Sequence, residues 1–284
     1  MIDLSVKNRQ GGSFMGKRYY DTVIFGATFL GLAAACASGG KVAVIEKGGL
    51  LGAEFTNSYK VCRPGIAKMK TGMGEDFLDG LKKRGLVSSD GEIYPAPAVY
   101  VLSARLQDNM QKKEEGEFDI LLMTEVISVK KADDAYEIRL FHSDGFETIK
   151  AKRILDTTNT GTGHGEGQAY PMKKQLNAIV YNPGKASMEG LSYNTQNQFY
   201  TYSLPVERSE ERWEAVERLC AEPVKTLFAE KGIQLSSIAS DFSYTMEKVK
   251  KPVGERFEWI PSTAYDNLAE VFDAGICWAE EETV

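Results

Sequence analysis

The sequence predicts an α/β fold: a parallel sheet with an attached β-meander, and a smaller α+β region inserted late in the chain. Three observations predict it. Residues 19–48 read as strand, glycine turn, helix, strand. From Phe118 a succession of strand patterns runs to Asp156, and after Gly167 the composition shifts toward Tyr, Asn, Gln and Ser. Alternating strands and helices followed by a compositional break is the pattern of a layered α/β domain carrying an insertion.

Tyr20-Asp-Thr-Val-Ile-Phe25 is short, apolar and β-branched, and Gly26 bounds it, so it reads as a buried strand. Residues 29–38 are rich in alanine, which suits a helix lying close on a sheet, and Gly39-Gly40 supplies the stop. Lys41-Val-Ala-Val-Ile-Glu46 is a second buried strand, and the pair with its crossover forms a right-handed βαβ unit. Residues 48–74 hold six glycines without a period and read as loop with a short helix. Helices are predicted over 75–86 and 102–115, the second ending in the solvated run Lys112-Lys113-Glu114-Glu115. Phe118–Leu122 and Glu125–Lys130 read as strands, and 136–142 pairs with 147–151 across the hairpin signal Ser143-Asp144-Gly145. Arg153-Ile-Leu-Asp156 returns to a buried strand before the polar loop Thr157–Gly167. Residues 175–206 read as strands and loops, and 209–231 as a helix with Glu211 near its start and Pro223 dividing it. The expected organisation is a flexible tail over 1–18, a dinucleotide domain over 19–167 and 256–284, and an inserted substrate or cap region over 168–255.

Composition narrows the function. The 284 residues are 43% hydrophobic and 26% charged, the balance of a globular chain with a real core. A net charge of −6 argues against a nucleic-acid partner, and Lys248, Lys250 and Lys251 read as a solvated cluster. No stretch approaches the ~18–20 apolar residues of a membrane span, and the polar start lacks the apolar centre of a signal peptide. The expected location is cytoplasmic, with no membrane partner. Cys36, Cys62, Cys220 and Cys277 form no CxxC pair, so no metal site is expected. Cys36 falls on an apolar helix face, whereas Cys62, within Tyr-Lys-Val-Cys-Arg, is the candidate reactive thiol.

The chemistry lies in Gly26-Ala27-Thr28-Phe29-Leu30-Gly31, which follows a strand and opens a helix. In a dinucleotide turn the first glycine makes the bend, the second lets backbone approach the pyrophosphate, and the third lets the helix pack on the strand. Here the first and third are present, while Thr28 holds the second position with a hydroxyl that is expected to donate to a phosphate. The helix N-terminus adds N–H groups and a favourable dipole. Glu46 ends the second strand twenty residues beyond Gly26, where an acid accepts from the adenosine ribose hydroxyls and disfavours NADP.

With these residues the chain resembles the FAD-dependent oxidoreductases of the glutathione-reductase-like superfamily, and their Rossmann-like FAD-binding fold is the expected one. Asp21–Lys47 with Gly48-Gly-Leu-Leu-Gly52-Ala-Glu-Phe-Thr56 is the most specific stretch. Thr124-Glu-Val126 resembles the strand that presents backbone to the adenine, and Asp156-Thr157-Thr158-Asn159-Thr-Gly161 resembles the Asp–Ala–Thr–Gly return to the sheet. Phe272-Asp-Ala-Gly275 resembles the late segment whose loop nears the ribityl and pyrophosphate. The resemblance implies FAD as cofactor, held by Gly26, Ala27, Thr28, Phe29, Gly31, Glu46, Lys47, Gly52, Val126, Thr158, Gly161 and Gly275. Two departures stand out: Asn159 replaces a glycine, and only nine residues follow Gly275, leaving no room for the helix that the family places there.

Candidates for catalysis are His164, in the glycine-flanked loop at a strand's carboxyl end, as general base or flavin contact; Arg63, to neutralise an anion; and Cys62. His142 reads as structural, and Tyr193, Phe199, Tyr200, Tyr202, Trp259 and Trp278 as core. The expected activity is oxidation of a small-molecule substrate by hydride transfer to the flavin. A degenerate, non-catalytic dinucleotide module is the alternative suggested by Thr28, Asn159 and the short C-terminus. An NAD-dependent dehydrogenase is the second, weakened by the lack of another glycine fingerprint. A homo-oligomer or a partner subunit is compatible with either.

Overall fold

The computed structural model describes residues 18–62, 68–89, 91–112, 114, 117–162, 164, 170–193 and 198–281. The expected tail, up to residue 17, and Arg63 lie outside them.

The dinucleotide unit forms as the pattern requires. Strand β1 (Tyr19–Phe25) leads through Gly26 into helix α1 (Phe29–Ala37) and returns as β2 (Val42–Ile45), which pairs parallel with β1. Short α2 (Ala53–Thr56), α3 (Gly72–Lys83) and α4 (Pro95–Lys112) follow, and then β3 (Phe118–Leu121) adds parallel to β2. Both predicted helices begin earlier than their patterns suggest, because Thr71 caps α3 and the Pro95 turn opens α4. Strands β4 (Glu125–Ala132), β5 (Ala135–His142) and β6 (Gly145–Asp156) form the meander, and the second half of β6 lies parallel to β1.

Side-chain alternation explains why β2 is buried along its whole length. Val42 and Val44 point with Ile24 into a core shared with α1, α3 and α4. Ala43 and Ile45 point with Val23 and Phe25 into a second core under the meander residues Tyr136, Ile138 and Leu140. A sheet covered on both faces has no polar stripe.

A second, antiparallel sheet holds β7 (Lys173–Tyr181), β8 (Leu191–Tyr193), β9 (Phe199–Val206), β10 (Gln234–Ile238) and β11 (Ser243–Thr245). Leu176, Val180, Tyr200, Tyr202 and Leu204 pack against Leu219 and Phe228 of α5 (Arg212–Leu219) and α6 (Glu222–Glu230). Pro223 sits in the first turn of α6, so the predicted long helix is two, and Glu211 caps the first with a reciprocal bond to Glu214. Tyr200 and Tyr202 are core as expected, but Phe199 is exposed at the strand end.

Strands β12 (Lys251–Gly254) and β13 (Phe257–Trp259) rejoin the first sheet, so the chain returns at residue 251, a few positions before the expected 256. A 3₁₀ turn, Ser262–Ala264, then leads to α7 (Leu268–Glu280), capped by Asn267. The expected lack of a C-terminal helix is thus wrong: it starts well before Gly275. Gly275 lies inside α7 rather than in a cofactor loop. An added Cβ there would stand 2.3 Å from Leu30 O and 2.9 Å from the Ala33 Cβ, so this glycine lets α7 press on alanine-rich α1. Trp259 and Trp278 are buried, and the Arg153 guanidinium lies 3.3 Å from the centre of the Trp278 ring. Among the described residues no helix is long and apolar enough to cross a membrane, and no cluster of potential metal ligands forms.

Candidate functional site: a dinucleotide groove and its polar extension

The glycine turn does what its spacing predicts. Gly26 has φ +93°, and a Cβ on it would meet Thr157 Oγ1 at 2.8 Å. A Cβ on Gly31 would stand 2.4 Å from Gly26 O, so only glycine lets α1 start this close to β1. Thr28 departs from expectation. It is the N-cap of α1, and its Oγ1 accepts from Gly31 N (3.0 Å) while donating to Thr157 Oγ1 (2.7 Å). Thr157 donates onward to Phe25 O at 2.8 Å. The hydroxyl that was expected on a phosphate is spent inward, tying the turn to the end of β6.

Glu46 gathers the turn from the other side. Its Oε2 accepts from Ala27 N at 2.8 Å and its Oε1 from Gly48 N at 2.6 Å, leaving further lone pairs for a ribose diol. Beside it opens a cleft of about 550 Å³, lined by Gly26, Glu46, Lys47, Val126, Thr158 and Gly161 among others. Lys47 pairs with Glu125 at 2.7 Å on the rim, and Gly161 turns with φ +72°. Six predicted residues therefore meet in one groove of the size an adenosine needs. Gly52 (φ +64°) is not in the groove's lining; it donates to Ala27 O at 2.8 Å and so braces the turn. Phe29 stays out of the groove's lining: its ring is buried edge-on against Phe55 and its N–H is given to Glu54. Replacing Glu46 with alanine should weaken FAD binding by about 1.5–3 kcal/mol, the range for a charge-assisted hydrogen bond, which equilibrium titration reads directly.

His164 lines this same groove, at the adenosine end. Its Nε2 lies 2.8 Å from Oδ2 of the buried Asp156, whose Oδ1 accepts from Thr158 N and Oγ1 at 2.8 and 2.6 Å. Burial pushes the Asp156 carboxyl above its ordinary range, and its hydrogen bonds oppose that shift. The pair ties His164 to the end of β6, with the histidine in the groove's lining. Cys62 is not the expected reactive thiol. It is 3% exposed within the core, and burial pushes it up to about 12, far from a thiolate at neutral pH.

Sequence reasoning missed a junction of polar groups beyond the α1 N-terminus. Glu54 Oε1 accepts from Phe29 N (2.7 Å) and from Ser262 Oγ (2.8 Å). Thr263 Oγ1 donates to Asn159 Oδ1, so the residue that departs from the family pattern fastens β6 to the turn before α7. Asn159 shows no positive φ, and no glycine is needed there. Lys60, buried, donates to Thr263 O (2.5 Å) and Tyr244 O (2.8 Å) and lies 3.6 Å from Asp266 Oδ1. Burial lowers the Lys60 ammonium, against the pull of Asp266. These partners stand about 200 positions apart, and no local pattern marks them. Next to the Lys60–Asp266 pair lies a second cleft of about 310 Å³, formed with Gln175, Ser192, Ser243 and Thr245 of the second sheet.

The likenesses to known proteins agree with this geometry. No curated protein sequence matches the chain. Among solved structures, p-nitrophenol 4-monooxygenase PnpA from Pseudomonas putida DLL-E4 superposes with TM-score 0.60 at 12% identity, over 94% of this chain and 82% of that one. Glycine oxidase from Geobacillus kaustophilus gives 0.59 at 11% identity, over 93% and 94%. Aklavinone-11 hydroxylase, in a ternary complex with FAD and aklavinone, gives 0.53 at 13%, over 94% and 63%. At such identities these likenesses show the fold alone. The turn, the acid and the adenosine-sized groove fit FAD, and FAD is the cofactor of the family whose model matches residues 21–259. The chain belongs to the FAD dependent oxidoreductase family.

Proposed function

We propose that the protein oxidises a small, polar organic molecule held in the second cleft, by hydride transfer to its flavin. The observation that carries this reading is the cleft's lining. Gln175, Ser192 and Thr245 present amide and hydroxyl groups that have no side-chain partner among the described residues. Lys60 and Asp266 cancel in charge, and among the described residues no aromatic side chain contributes. Such a lining suits a ligand rich in hydrogen-bonding groups better than a phenol, because unpaired polar groups in a site reject apolar occupants.

When bound, the flavin supplies a two-electron acceptor. The chain's own residues do the rest. Gln175 and Thr245 orient the substrate by hydrogen bonds. Asp266, in the lining of the cleft, takes the proton that leaves a substrate O–H or N–H. Lys60 fixes the 262–266 turn and brings a buried positive charge, which favours an anion developing beside it. Glu46, Asp156 and His164 hold the adenosine end. A cytoplasmic location, where the cysteines would stay reduced, completes this reading.

The test is anaerobic mixing of the flavin-loaded protein with a panel of small alcohols, amines, hydroxy acids and phenols. Bleaching of the yellow colour by a polar member is expected, slowed at least tenfold in Asp266→Asn. Bleaching by phenols alone, or an Asp266→Asn protein as fast as the parent, counts against the proposal.

A further inference from the structure

Glu54 is a charged side chain whose position works against the cofactor it adjoins. It sits at the positive end of α1, where its Oε1 takes the first helical N–H, that of Phe29, at 2.7 Å. That is the N–H a pyrophosphate would seek. Its other oxygen, Oε2, is closed to solvent and has no hydrogen-bond partner. A buried carboxylate oxygen left bare is costly, and an anionic ligand beside it makes the ionised form costlier still. A proton on Oε2 removes both penalties at once: it discharges the group and ends the burial of a bare carboxylate.

We propose that FAD binds with Glu54 as a neutral carboxylic acid, one proton being taken from solvent onto the bare carboxylate for each FAD bound, so that no buried negative charge stands beside the pyrophosphate. The apo protein is already poised for this step. Burial pushes the Glu54 carboxyl up to about 7, against the opposing bonds from Phe29 N and Ser262 Oγ, and the charge of Glu46 at the end of β2 adds to the rise. The other charged or titratable groups near it are Lys60 and Cys62, on the segment after α2, and Asp266, before α7. Cys62 titrates far above the neutral range. Lys60 is held by Thr263 O, Tyr244 O and Asp266. Among these neighbours Glu54 is the group that takes up a proton near neutral pH.

Calorimetric titration of the full apo chain with FAD at pH 8, in buffers of differing ionisation heat, counts the protons. Uptake of close to one proton is expected, with affinity falling roughly tenfold per pH unit above 7. In Glu54→Gln the uptake should vanish, and the affinity should stay flat from pH 6 to pH 9 and exceed the parent's at the alkaline end. A purely structural role for Glu54, pinning the 3₁₀ turn to α1, would change affinity without moving the proton count. Binding without proton uptake by the parent, or the same uptake retained in Glu54→Gln, overturns the inference while leaving the cofactor intact. No binding at any pH overturns both. Should the Gln variant fail to fold, the pH series on the parent chain decides by itself: a flat affinity refutes the proposal.

Discussion

Gly31→Ala is expected to destabilise the protein by about 3 kcal/mol, the upper end of the usual cost of overpacking, and to abolish FAD retention. The new Cβ would stand 2.4 Å from Gly26 O and 3.0 Å from both Ile24 Cγ2 and Thr157 Oγ1. A backbone oxygen cannot swing aside as a side chain does, so α1 must lift off β1 or the turn must open. Either movement separates the N–H groups of Ala27 and Phe29 from Glu46 and Glu54. The melting temperature should fall by roughly 6–12 °C, given a few degrees per kcal/mol for a domain of this size. Gly39→Ala is the control. It follows the same helix, meets nothing within 4 Å, and should stay within about 0.5 kcal/mol of the parent. Thermal unfolding of the two variants side by side separates crowding at the turn from the general effect of losing a glycine.

Lys60→Met is expected to cost a similar ~3 kcal/mol for a different reason, the stranding of buried polar groups. The methionine fills the space of the stem, but Tyr244 O and Thr263 O lose their donor and Asp266 loses its countercharge. The loss should appear in chemical denaturation as a lower midpoint with an unchanged slope. Asp266→Asn alone should cost less, since it leaves both carbonyls satisfied. The double variant should cost less than the sum of the singles, because the second change removes a charge already stranded by the first. Additive losses would show that the 3.6 Å contact between Lys60 and Asp266 contributes nothing.

These two predictions also mark the limits of what the sequence discloses. Gly26, Gly31 and Glu46 are legible because their work is done within one βαβ unit, where spacing along the chain fixes position in space. The break in composition after Gly167 likewise announces a second sheet. Thr28 was read in the right place but for the wrong contact, because its partner, Thr157, lies 129 positions away. Gly275 looked like a loop residue. It is a helix-packing residue, and the complementary signal, the alanine run of α1, was present but read only against the sheet. Glu54 and Lys60 carry no mark in the sequence, since burial at a junction of three chain segments leaves no trace in local pattern. His164 was legible as a groove residue from its glycine-flanked setting, but its contact with Asp156 was not.

The claim on which the rest depends is that the groove between the Gly26 turn, Glu46 and Val126 holds FAD. Equilibrium titration of the purified chain with FAD at pH 6, followed by flavin fluorescence and the visible spectrum, tests it most directly. Saturation at one FAD per chain, with a yellow protein after gel filtration, is the predicted result. A colourless protein that takes up no FAD would contradict it.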